Sequence, residues 1–148
     1  MPHHIVTASL RQVEDYCFEM HFGQSIPVVY GDEPAPLGKS AGPSPSQLLA
    51  AAVGNCLADS LLFALRKFKQ RPEPIGAAVA AVIDRNDSNR LRVTSIDVKL
   101  TLGVPAENLQ HLERALSQFE EFCTVSQSVQ QGIPISVTVY DSSGRKVK

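Results

Sequence analysis

Two cysteines could do chemistry in this sequence. Cys56 and Cys123 stand 67 residues apart, each on an apolar stripe with helical spacing. Cys56 belongs to Leu49, Val53, Cys56, Ser60 and Phe63, and Cys123 to Leu109, Leu112, Leu116, Phe119 and Cys123. Both thiols would point toward the core, where two helices could pack together. A disulfide would need their Cα atoms about 4.4–6.8 Å apart, and spacing does not establish that they meet. Each could equally be a small buried core residue, because free cysteine is among the most buried residue types.

The third cysteine, Cys17, lies in Tyr16–Phe22, where Tyr16, Phe18, Met20 and Phe22 alternate onto one face. Cys17 sits on the opposite face and reads as structural. Three cysteines without Cys-x-x-Cys argue against a disulfide framework, a zinc ribbon or a thioredoxin motif. No metal site is expected: His3 and His4 read as a solvated pair, and neither His21 nor His111 joins a set with ligand spacing. Asp59 and Ser60 lack partners for a triad. Glu113, Glu120 and Glu121 read as a solvated face.

The elements that must position these thiols are legible from punctuation and period. Ile5–Leu10, Tyr16–Phe22 and Ile26–Tyr30 read as short strands, with 11–15 a turn or the end of a hairpin. Residues 31–45 are a Gly/Pro-rich loop. Ser44 then caps a helix with Pro45 at its first position, running from Gln47 to about Lys69 and stopped by Pro72 and Pro74. Its second apolar stripe is Leu48, Ala52, Leu57, Leu61 and Leu65, so the helix is expected to be central. Ala77–Asp84 and Arg92–Leu102 read as a hairpin around 86–89, in an antiparallel sheet covered on one face. A second helix is expected over Leu109–Phe122, a short helical turn over Val125–Gln130, a strand over Ile133–Tyr140 and a frayed tail over 141–148. The fold class is α+β. One domain is expected over residues 1–148: strands and loop in 1–40, the central helix in 45–70, and a strand–helix–strand part in 77–140.

The formal net charge of −1 gives no electrostatic attraction to nucleic acid or anionic lipid. The longest uninterrupted apolar run, Leu48–Val53, is far short of a membrane span. The first residues lack a charged segment followed by an apolar one, so a signal peptide is not expected and the cytoplasm is the expected location.

The segment Gly42-Pro43-Ser44-Pro45-Ser46-Gln47-Leu48-Leu49-Ala50-Ala51-Ala52-Val53-Gly54-Asn55-Cys56 resembles the loop and central helix of the OsmC/Ohr family. Phe122-Cys123-Thr124-Val125-Ser126-Gln127-Ser128-Val129 is similar to that family's second motif, where a Cys opens a short helix before the last strand. The order of elements matches along nearly the whole chain. The resemblance implies antiparallel sheets around a long helix carrying Cys56, in an intertwined homodimer with its sites at the interface. It also implies reduction of organic hydroperoxides in stress defence, with Cys56 peroxidatic and Cys123 resolving. No cofactor is implied; the reductant is a dithiol, lipoyl groups in one branch. An apolar lining of Leu49, Val53, Phe63, Phe119 and Phe122 would favour an alkyl peroxide. The peroxidase branches place a Glu after the helix-start Pro, paired with an Arg that stabilises the thiolate. Here Ser46 occupies that position, Arg11 is the candidate for the Arg, and Thr124 replaces the Pro after the second Cys. The alternative is a non-peroxidase relative that binds an apolar small molecule or acts otherwise in stress.

Overall fold

The computed structural model describes residues 3–148. They form two compact units, Met1–Leu48 and Leu49–Lys148.

The first unit carries an antiparallel sheet of β1 (Ser9–Glu14), β2 (Cys17–His21) and β3 (Val29–Gly31), in that order. The first strand starts later than expected and takes in residues read as a turn. Arg11 pairs with Glu19 and Gln12 with Phe18 across the ladder, and the reversal is tightened to Asp15, whose φ of 47° is left-handed. Cross-strand partners thus outweighed local turn chemistry. The loop after β3 closes on Asp32. Its buried carboxylate accepts the backbone N–H groups of Glu33, Lys39 and Ala41.

The helix α1 spans Pro45–Lys67. It opens with a capping box: Ser44 Oγ accepts the Gln47 amide at 3.2 Å, and Gln47 Oε1 accepts the Ser44 amide at 2.9 Å. By length and composition α1 could cross a membrane, a property hidden from a count of uninterrupted apolar residues. Much of its apolar surface instead faces a protein core. Val53, Leu57, Leu61 and Leu65, spaced every four residues, are fully buried with Ile96, Leu100, Phe119 and Val139. This row draws on both stripes read from the sequence. Phe63, placed on the inward stripe, is 63% exposed. Gly54 permits close packing, since a Cβ there would lie 2.5 Å from Val79 Cγ2.

The second unit's sheet orders β4 (Gly76–Arg85), β5 (Leu91–Thr101) and β6 (Ile135–Tyr140). The β4–β5 hairpin is antiparallel as expected, but β6 runs parallel to β5. The helical segment between β5 and β6 is the crossover that a parallel pair requires.

That segment is not the continuous helix expected over Leu109–Phe122. It consists of a 3-10 turn at Ala106–Asn108, α2 (Leu112–Gln118), a 3-10 turn at Phe119–Phe122 and α3 (Thr124–Val129). Contacts from the residues that follow α1 hold the break open. Gln70 Oε1 accepts the Gln110 amide at 2.9 Å, and Phe68 stacks on His111, whose φ is 60°. The tail is likewise anchored, not frayed. Asp141, also buried, accepts the amides of Ala106, Ser143 and Arg145 and the Ser143 hydroxyl. Val147 donates its amide to Val139, and Lys148 Nζ donates to the Leu116 carbonyl and to Glu120.

Candidate active site

Cys56 projects from the middle of α1, and Cys123 sits at the entry to α3. Both belong to the second unit, and they meet. The two thiols are neighbours, Cys123 pushing the Cys56 thiol up, and both are free. Cys123 is fully buried, whereas Cys56 is half-buried and therefore the more accessible of the pair.

Local geometry explains the placement of Cys123. The 3-10 turn ends in extended backbone at Cys123 (φ −83°, ψ 101°), which makes this residue the N-cap of α3. Its Sγ accepts the Ser126 amide at 3.4 Å, the part that Ser or Asp plays in an ordinary cap.

Burial pushes the Cys56 thiol above the ordinary cysteine value, and its hydrogen bond with Cys123 pushes the same way. The amides of Val125 and Ser126 pull it down. Those two donors were not anticipated from the sequence, because a backbone N–H carries no residue signature. The helix-opening pattern after Cys123 was the available clue.

The leading influences on the Cys56 thiol include no cation. Arg11 belongs to the first unit, where it pairs with Glu19 (Nη2–Oε1 2.8 Å), which also bonds His21. The His21 and Arg11 hydrogen bonds hold the Glu19 carboxyl below its usual range. Lys39, a further cation of that unit, bridges to Glu14 at 3.3 Å. Cys17 is buried there alone. Burial and then the Asp32 and Glu14 carboxylates push its thiol upward.

Of the expected apolar lining, Val53 and Phe119 are core residues, while Phe63 and Phe122 stand in solvent at 63% and 64% exposure. These two rings flank a groove completed by Ala64, Lys67, Phe68 and Gln118. Phe63 lies two helical turns beyond Cys56, and Phe122 directly precedes Cys123. Among the described residues no cluster of His, Cys, Asp and Glu could hold a metal ion.

A sequence model of the OsmC-like protein family matches residues 38–138, a stretch that contains both cysteines. No curated protein matches the sequence significantly. Solved structures share the fold at low identity. An OsmC-like protein of unknown function from Vibrio cholerae superposes with a TM-score of 0.74 at 16% identity, covering 91% of this chain and 99% of the other. An organic hydroperoxide resistance protein OsmC from Legionella pneumophila gives 0.70 at 15% identity, covering 95% and 99%. The organic hydroperoxide resistance protein OhrB of Bacillus subtilis gives 0.67 at 12% identity, covering 92% and 98%. At such identities the structures speak for the fold, and the match of the sequence model over most of the chain places this protein in the OsmC-like family.

Proposed function

We propose that this protein reduces organic hydroperoxides through a Cys56/Cys123 thiol–disulfide cycle. The observation that carries the reading is the meeting of a half-buried thiol with a fully buried one beside two backbone donors. Cys56, once ionised, attacks the distal peroxide oxygen. The O–O bond breaks, the alkoxide leaves as alcohol after taking a proton, and Cys56 becomes a sulfenic acid. The Cys123 thiol then attacks the Cys56 sulfur, water leaves, and a disulfide forms. An external dithiol, of which a lipoyl group is one kind, returns both cysteines to thiols and is itself oxidised to a disulfide.

In this reading the Val125 and Ser126 amides receive part of the thiolate charge, and Arg11 stays the candidate that the family resemblance offers for the cation. Glu19, the cross-strand partner of Arg11, is then the carboxylate that Ser46 does not provide. The working form is a homodimer in the cytoplasm, acting in stress defence. The test is to add cumene hydroperoxide to the reduced protein and follow alcohol formation and thiol loss. Stoichiometric loss of the Cys56 and Cys123 thiols supports the cycle; intact thiols under modest peroxide oppose it.

A second reading is favoured by the upward shift of Cys56 and by the exposed Phe63/Phe122 groove. On that reading the protein binds an apolar small molecule and the cysteines are passive. Full biological activity in a Cys56→Ser protein would support it, and loss of activity would remove it.

A further inference from the structure

We infer that the disulfide is reopened at Cys56: the reductant's thiolate attacks the Cys56 sulfur, and Cys123 leaves as the thiolate, its charge met by the Ser126 amide. This rests on the proposed Cys56/Cys123 cycle and gives the two sulfurs distinct parts in its second half.

A disulfide presents two sulfurs, and attack on either breaks the same bond. Burial separates them here. Cys123 is 0% exposed and belongs to the core that holds Leu57, Phe119 and Val139. Cys56 packs against that core but keeps part of its surface in solvent. An incoming thiol reaches Cys56 without displacing the core.

The turn that carries Cys123 is also pinned. The Cys123 amide donates to the Glu120 carbonyl at 3.2 Å, and the Cys123 carbonyl accepts the Gln127 amide at 3.0 Å. The Gln127 side chain donates to the same Glu120 carbonyl at 3.0 Å. With the backbone tied before and after it, Cys123 lacks the slack to swing its sulfur into solvent.

That sulfur has a donor in place. The Ser126 N–H reaches Cys123 Sγ at 3.4 Å in the protein interior. As the S–S bond breaks, the same N–H faces the departing charge, where a hydrogen bond is roughly twice as strong as to a neutral acceptor. A thiol leaves faster the better its charge is met. Burial and donor thus select the same direction of opening. The reductant's first sulfur bonds to Cys56, and the electron pair of the old S–S bond goes to Cys123, which then takes a proton. The reductant's second thiol attacks its first sulfur, Cys56 leaves as thiolate and is protonated, and the dithiol departs as a disulfide.

The experiment prepares the Cys56–Cys123 disulfide with diamide, so that no peroxide step is needed. Glutathione is added for a single turnover, acid stops the exchange, and peptide mass spectrometry locates the adduct. Glutathione on Cys56 should outnumber glutathione on Cys123 by about tenfold or more. An even split, or a majority on Cys123, overturns the inference. Should the mixed disulfide reclose before the quench, the reverse exchange decides. Reduced Cys123→Ser and Cys56→Ser proteins are each treated with oxidised glutathione. Cys56 in the first should be modified about tenfold or more faster than Cys123 in the second; equal rates overturn the inference. The pH profile tests the donor. The opening rate per glutathione thiolate should stay flat as pH rises, whereas a falling rate means that Cys123 must be protonated to leave and removes the part given to Ser126. If the diamide-made disulfide opens at Cys56 but peroxide never forms it, the direction of opening stands and the peroxidatic role falls. If peroxide forms the disulfide and glutathione lands on Cys123, the cycle stands and the direction of opening falls.

Discussion

Cys17 and Cys56 are both thiols raised by burial, yet their surroundings differ in kind. Cys17 faces carboxylates, and the nearby Asp32 has its hydrogen-bonding demand met by backbone amides. Lys39 pulls that thiol down against them, but no second cysteine is there to condense with an oxidised sulfur. Cys56 has a second thiol and two amide donors facing it. The pair of sites teaches that an upward shift does not by itself separate an inert cysteine from a reactive one. What separates them is whether the surroundings hold a partner for the next chemical state.

The sharpest way to break this contrast is to remove each sulfur in turn. Cys56→Ser should lower peroxide consumption by on the order of 10³-fold or more, whereas Cys17→Ser should leave it near wild-type; steady-state assays with an excess dithiol read both. Cys123→Ser should still form a sulfenic acid in a single turnover but no intramolecular disulfide, and mass spectrometry should then find Cys56 as sulfinic acid at high peroxide.

Next in size is the packing that holds α1 against its sheet. Leu57 is fully buried in that core, so Leu57→Ala should cost about 2–5 kcal/mol in chemical denaturation. Ser44→Ala removes the cap at the other end of the first turns and should cost about 0.5–2 kcal/mol.

The two buried aspartates extend the comparison to pH. The Ala106 amide and the Ser143 hydroxyl, with further backbone bonds, hold the Asp141 carboxyl at about 2, below its ordinary 3.8. A depressed carboxyl contributes stability above its unfolded value and loses it as pH falls through the folded one. Acid should therefore release the tail between about pH 4 and pH 2, and Asp141→Asn should flatten that part of the stability profile. For Cys56 the sign is opposite in consequence. A raised thiol stays protonated longer, so its alkylation rate should keep climbing past about pH 8.5, the free-cysteine reference.

Much of this was legible in the residues. The capping box at Ser44, the length of α1, the β4–β5 hairpin and the two cysteine-bearing segments follow from caps, period and turn residues. What was missed depends on distant partners. Arg11 to Glu14 look like a turn until β2 supplies their ladder. The crossover breaks where Gln70 and Phe68 hold Gln110 and His111. The tail is anchored by Asp141, which looks like any terminal carboxylate until its amide partners fold around it. Phe63 fits an inward stripe by spacing, but the fully buried row beside it already fills the core. The amides of Val125 and Ser126 carry no sequence signature, although their position after a helix-opening cysteine was visible.

The most direct test is to oxidise the reduced protein with one equivalent of organic hydroperoxide, block the remaining thiols and map the sulfur linkages by peptide mass spectrometry. The predicted result is a single intramolecular Cys56–Cys123 disulfide with Cys17 alkylated. Recovery of Cys56 and Cys123 as free thiols, or a linkage through Cys17, would contradict it.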